Sequence, residues 1–283
     1  MKYFGAHVSA MPDVSYSPLY AQALGAMAFA MFTAEENSFR PVDIPDDIAE
    51  KFRSTCSLCG YTPDRILPHA GFMMNCAAPD RRKHAFATAM LRAEFSRAAR
   101  LGLTMVNFHP GSTLGAVSDD EGCRLVAGAI NSALDKTEGV TAVIENMAGQ
   151  GSVLGRSLEQ IAAMIDLVED KSRVGFCIDT CHAFAAGYDI STPEGLQDFV
   201  GQIDSVIGLR YLRAMHLNDS RKACGLHIDR HESIGRGEIG AESFRLLAGD
   251  PRFDGIPLIL ETPDESVWKD EISLLESWSD NKE

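Results

Sequence analysis

The chain has 283 residues, enough to bury one large core, and its 45% hydrophobic and 23% charged content is that of a soluble globular protein. Its 40 Asp plus Glu against 26 Lys plus Arg give a formal charge of −14, which excludes a broad electrostatic grip on nucleic acid and leaves only a local one open. No run of about 18 apolar residues occurs, and MKYFGAHVSA turns polar too soon for a signal peptide, so no membrane span or export is expected and the expected location is cytoplasmic.

Short apolar runs with turn or helix signals at their ends follow one another along the chain, as buried parallel strands do. In order they are KYFGAHV (2–8), AMAFAMFT (26–33), RILPHA (65–70), TMVNFHP (104–110), TAVIENM (141–147), VGFCIDT (174–180), YLRAMHLND (211–219) and PLILET (257–262). Amphipathic stretches of helical length lie between them, most clearly HAFATAMLRAEFSRAARLG and SLEQIAAMIDLVED. The second has Leu158, Ile161, Ala162 and Ile165 on one face, and Ser157 followed by Gln160 reads as a capping box. Eight strand–helix units predict an α/β fold, a (β/α)8 TIM barrel, as one domain over residues 1–283. A doubly wound open sheet is the alternative, and the near-regular units favour closure.

The seven cysteines are an odd number with no disulfide spacing, and most are expected to be small buried hydrophobes. Cys56 and Cys59 form a CxxC without a second pair, in a predicted helix.

In such barrels the chemistry sits at the C-terminal ends of the strands. Here those ends carry His69, His109, Glu145, Asp179, His216 and Glu261, with no Lys or Arg at the same positions. One such histidine alone reads as structural. Six side chains of this kind on one rim read as a metal site, because clustered carboxylates repel unless cations or protons relieve them. The glycine-bounded loop GLHIDRHESIGRG (225–237) reads alone as a solvated polar loop. With His182, three residues after Asp179, its Asp229 and His231 make a set of two imidazoles and a carboxylate that leaves a coordination position open. The other six residues suit two further ions sharing a carboxylate. Five imidazoles favour zinc over magnesium, while ligand type leaves manganese and iron open.

FHPGS (108–112), VIENMAGQG (143–151), CIDTCHAFAAGYD (177–189), MHLNDS (215–220), DRHESIGRGEIG (229–240) and PLILET (257–262) together resemble the endonuclease IV family of trinuclear zinc apurinic/apyrimidinic endonucleases, essentially end to end. The resemblance implies three Zn²⁺ per chain, with manganese as a substitute. One is held by His69, His109 and Glu145, a second by Glu145, Asp179, His216 and Glu261, and the third by His182, Asp229 and His231. It implies hydrolysis of the phosphodiester 5′ to an abasic site in duplex DNA as a step of base excision repair, leaving a 3′-hydroxyl and a 5′-deoxyribose phosphate. Removal of 3′-blocking groups at breaks is implied as well. The implied catalytic residues are Glu145, which bridges two ions, and Glu261, which orients or deprotonates the attacking water. Three Zn²⁺ would take the formal charge from −14 to −8, with the gain concentrated at the pocket mouth.

The DNA-contacting loops depart from the family pattern. In TAEENSFRP, Asn37 stands where an inserting arginine is expected, with Glu35 and Glu36 beside it and Arg40 three residues on. Phe72 and Met73 stand in place of a tyrosine and a leucine, and Arg230 is a further candidate DNA contact. Pro12 and Asp13 replace glycines, and Met147 replaces a threonine. The expectation is intact hydrolytic chemistry with an altered DNA grip, in a monomer without protein partners. The rival readings are a metal-dependent sugar isomerase on a similar barrel, which has no use for a third ligand set, and a lesion-binding protein without turnover. His84 reads as a surface helix residue, His7 as near the pocket without ligating, and His227 as a phosphate contact or a solvated loop residue. Trp268 and Trp278 are expected to pack the last helix.

Overall fold

A computed structural model describes residues 1–34 and 43–280 of the chain. Eight parallel strands close a barrel: β1 (Tyr3–His7), β2 (Ala28–Phe32), β3 (Ile66–His69), β4 (Met105–Phe108), β5 (Thr141–Glu145), β6 (Val174–Asp179), β7 (Leu212–His216) and β10 (Pro257–Leu260). Each falls within one of the eight predicted runs. The seam joins first strand to last, with Gly5 of β1 opposite Ile259 of β10. Two short strands absent from the expectation, β8 (Asp219–Ser220) and β9 (His231–Glu232), form an antiparallel ribbon after β7.

The helices on the barrel's outside are those the apolar periodicity marks. α3 (Arg81–Leu101) buries Ala87, Leu91, Phe95 and Ala98 at helical spacing. It starts where the Asp80 side chain accepts from the backbone N–H groups of Arg82 and Lys83, and it ends at Gly102 in the left-handed conformation. α5 (Leu158–Leu167) starts with Ser157 accepting from the Gln160 N–H at 3.4 Å. The reciprocal arm of the box is redirected: Gln160 Oε1 accepts from the N–H groups of Gly155 and Arg156 instead of reaching back to Ser157.

Strand alternation divides the core in two. Phe29, Ile66, Val106, Ile144, Phe176, Met215 and Leu258 belong to the large cluster beneath the helices. Ala28, Ala30, Leu67, Met105, Val143, Cys177, Ala214 and Ile259 form a smaller buried cluster of opposite parity, the plug inside the barrel. Small residues are required where β1 meets β2, since a Cβ on Gly5 would lie 1.7 Å from the Ala28 carbonyl oxygen.

Cys56 and Cys59 sit in α2 (Asp46–Cys59), and burial pushes the Cys56 thiol up to about 12, as befits a small hydrophobe. His84 is half-buried, and its Nε2 lies 3.0 Å from the Leu125 carbonyl, tying α3 to α4 (Asp119–Leu134) instead of serving as a plain surface residue. Trp268 is buried at the start of α9 (Trp268–Asp280), and Trp278 packs on the main core. Among the described residues no helix is long and apolar enough to cross a membrane.

Candidate metal centre

Two residues beyond the barrel plug, the inward face changes from hydrocarbon to ligand. Leu67, Val143, Cys177, Ala214 and Ile259 are followed at that spacing by His69, Glu145, Asp179, His216 and Glu261. The same parity leads from Tyr3 and Gly5 to His7, from Ala30 to Phe32, and from Met105 to Asn107 with His109 one step higher. Period two thus delivers polar side chains from many strands to one mouth.

The remaining donors come from two local devices. Asp179 caps α6 (Thr180–Ala186) by accepting from the His182 N–H at 2.8 Å, which places His182 one turn along and over the mouth. The β8–β9 ribbon pairs Ser220 with His231 and folds the intervening loop back over the barrel. Its anchor is Asp219, fully buried, whose carboxylate accepts from the N–H groups of Ser220 at 2.7 Å, Gly237 at 3.0 Å, Ile239 at 3.0 Å and Gly240 at 3.3 Å. Burial raises the Asp219 carboxyl, and the four N–H donors pull the other way.

The nine residues singled out in the sequence converge. His69, His109 and Glu145 form one group, Glu145, Asp179, His216 and Glu261 a second, and His182, Asp229 and His231 a third, each with donor atoms within 4.8 Å of one another. A fourth group, Asp179, Cys181 and His231, overlaps these. Glu145 Oε2 lies 3.1 Å from His69 Nε2 and 3.5 Å from His109 Nε2, while its Oε1 lies 3.2 Å from His216 Nδ1 and 3.4 Å from His182 Nδ1. Glu261 Oε2 is 3.1 Å from His216 Nδ1. Asp229 lies 3.2 Å from His182 Nε2 and 3.3 Å from His231 Nε2, turned towards both imidazoles although its side chain is 35% exposed.

Charge explains the electrostatics of the cluster. Among the described residues, Glu145, Asp179, Asp229 and Glu261 form ion pairs only with histidines. Burial alone would push Glu145 and Glu261 up, but the facing imidazoles hold both far below the usual carboxylate range. Burial likewise disfavours charged imidazoles, yet the carboxylates outweigh it at His69, His182 and His216, and lift His231 to about 9. Without cations, protons on imidazoles balance the carboxylates.

The donor set fits divalent cations. His231 Nε2 is buried without a hydrogen-bond partner, although it lies 3.5 Å from Asp179 and 3.3 Å from Asp229. A buried nitrogen set among carboxylates without a hydrogen bond to them suits a central ion. Imidazole and carboxylate together suit zinc.

The model of the xylose isomerase-like TIM-barrel family matches residues 19–278. A probable endonuclease 4 of Chlorobium limicola is 48% identical over 280 residues, 97% of this chain and 95% of that one. The chain belongs to the endonuclease IV family. By that membership it is a nuclease, a hydrolase. Endonuclease IV from Thermus thermophilus superposes with a TM-score of 0.86 at 28% identity, with 98% of each chain covered. A D-tagatose 3-epimerase-like protein shares the fold at a TM-score of 0.71 and 19% identity, covering 98% of this chain and 96% of its own.

Around the donor groups of this endonuclease IV family member lie residues that sequence reasoning missed. Asn107 Nδ2 donates to Glu145 Oε2, and Asn218 Nδ2 donates to Asp179 Oδ2 at 2.7 Å while its Oδ1 accepts from the Glu261 N–H. Asn146 ties β5 to β6 by donating to the Asp179 carbonyl and accepting from its N–H. The signal was present in NFH, EN and HLN, where an asparagine stands within two residues of each ligand.

The expected DNA-contact residues lie on the same face, as far as they are described. Phe72 and Met73 are each 46% exposed, and the Phe72 ring stacks on His109 with centroids 5.3 Å apart. Arg230 is exposed, and its guanidinium donates to the Asp229 carbonyl at 2.6 Å. His227 is exposed with a φ of 55°, its Nδ1 3.1 Å from the Ala148 carbonyl. Asp13 accepts from the Ser15 N–H, and the Met147 N–H donates to Gly155. Glu35, Glu36, Asn37 and Arg40 lie outside the described residues.

Proposed function

We propose that residues 1–283 form one catalytic domain, a monomeric DNA-repair endonuclease that hydrolyses the phosphodiester on the 5′ side of abasic sites in duplex DNA. The products are a 3′-hydroxyl and a 5′-deoxyribose phosphate, and the same site would clear 3′-blocked ends. The observation that carries this reading is the meeting of three donor groups at one mouth, two of them sharing Glu145. A one- or two-metal sugar isomerase has no use for His182, Asp229 and His231, and a mere binder has no use for nine donors.

Zinc held by the three groups would supply Lewis acidity, activating a phosphoryl oxygen and water near neutral pH. The chain's own residues do the rest. Glu145 presents one oxygen to each side, Oε2 towards His69 and His109 and Oε1 towards His182 and His216, which suits a bridge. Glu261, at the edge of the mouth, orients the attacking water. Phe72 offers a stacking face, Met73 an apolar wedge, and Arg230 a charge for the backbone phosphates. Asn37 contributes no charge where a cation would strengthen grip. An acidic body around a cationic mouth favours search for a phosphate over coating of intact DNA.

The test is cleavage of a synthetic duplex with one abasic site, with and without chelator, paired with metal analysis. About three zinc per chain, with cleavage 5′ to the lesion that chelation abolishes and zinc restores, is the expected result. One metal per chain with turnover of a free sugar would establish the isomerase reading. Metal-replete protein that binds the lesion without cutting would establish a binder.

A further inference from the structure

Among the described residues, His7 stands at the mouth beside the donor groups without belonging to any of them. It ends β1 at the inward parity, and its ring lies between Phe32, with centroids 4.5 Å apart, and His69 at 5.8 Å. Its Nδ1 is 2.7 Å from Glu261 Oε1, and its Nε2 is buried without a partner. An ionised carboxylate only accepts hydrogen bonds, so the proton of this contact sits on Nδ1. That assignment leaves Nε2 as a bare lone pair, which tolerates burial better than an unmatched N–H.

We propose that His7 is the positioning residue of Glu261: it donates from Nδ1 to Oε1 and thereby reserves Oε2 for the cation shared with Glu145, Asp179 and His216. The inference rests on the reading of the site as a metal centre. Three features carry it beyond a chance contact. First, each carboxylate of the four-donor group has one uncharged side-chain donor: Asn107 for Glu145, Asn218 for Asp179, and His7 for Glu261. Second, the two oxygens of Glu261 are divided, Oε1 to His7 at 2.7 Å and Oε2 to His216 at 3.1 Å. Third, Glu261 stands one residue beyond β10, and its side chain is 17% exposed where those of Glu145 and Asp179 are at most 1%. A long side chain at the rim loses rotamer freedom when it binds a cation, and a donor that fixes it beforehand removes that cost.

Zinc titrations of wild type, His7→Phe and His7→Asn test this, with circular dichroism as the check on folding. Asn places its amide nitrogen near the position of Nδ1, whereas Phe fills the same space without a donor. His7→Phe should weaken the ion held with Glu261 by about 10–100-fold, the effect of removing such a partner. In dilute protein its zinc content should fall by one ion relative to wild type. His7→Asn should recover most of that affinity, and the visible spectrum of the cobalt-substituted protein should change in the Phe variant and not in the Asn variant. The proposal is overturned if His7→Phe titrates like wild type, or if His7→Asn is no better than His7→Phe. ¹⁵N NMR of the unsubstituted zinc-loaded protein decides the matter even if a variant fails to fold: a proton on Nδ1 supports the assignment, and a bare Nδ1 refutes it. Wild type that takes up no zinc would overturn the metal-centre reading and this inference together.

Discussion

Replacing Asp219 by Asn tests whether a single buried carboxylate holds the ligand-bearing loop in place. Its Oδ1 accepts from Ser220 and Ile239 and its Oδ2 from Gly237 and Gly240, so whichever oxygen becomes NH2 faces two N–H groups. Two backbone donors are then unmet, at about 1–3 kcal/mol each, for a loss of about 2–6 kcal/mol. The backbone is closely packed here, since a Cβ on Gly237 would lie 2.3 Å from the Ser220 carbonyl oxygen. At about 2–4 °C per kcal/mol for a domain of this size, the metal-free midpoint should fall by roughly 5–20 °C in scanning calorimetry. Zinc analysis of the same variant should show selective loss at His182, Asp229 and His231, since that group takes two of its three donors from the loop. An unchanged midpoint with wild-type zinc content would refute the reasoning.

Three further outcomes follow from the geometry. His231 is lifted from its ordinary 6.5 to about 9, against burial, by Asp179 and Asp229. Its contribution is therefore fully present below about pH 6.5 and lost as the pH rises through about 9. Chelator-treated protein should melt at progressively lower temperature across that window, whereas zinc-loaded protein, whose ligands must be bare, should not; calorimetry against pH checks both. Phe72→Ala should weaken binding to abasic duplex by about 5–150-fold, the worth of one aromatic stack, without altering zinc content, as read by fluorescence anisotropy and metal analysis. Gly5→Ala puts a methyl 1.7 Å from the Ala28 carbonyl, so it should destabilise the barrel by about 3 kcal/mol or more, seen as a lowered denaturant midpoint.

The barrel strands were legible because buried parallel strands need continuous apolar runs, and each run ends where solvent or ligand chemistry begins. The convergence of the nine side chains was legible for a related reason: histidine and carboxylate at strand ends are costly unless something uses them. What escaped was held by short or neutral features. The β8–β9 ribbon is two residues on each side and carries no periodicity, so nothing announced that Ser220 faces His231. Asparagines at 107, 146 and 218 look ordinary in the sequence until the carboxylates of Glu145 and Asp179 and the Asp179 backbone they serve are seen beside them. Helix periodicity marks His84 as a surface residue and does not disclose its contact with the Leu125 carbonyl of the neighbouring helix.

The pairing of β1 with β10 has a bearing on how the protein is made. The ribosome releases His69, His109 and Glu145 well before Glu261, so a nascent chain can display a half-built cation trap for much of its synthesis. Docking of β10 between β7 and β1 closes the ring and sets Glu261 both against His216 and under His7. Closure of the ring and completion of the donor set are then one event.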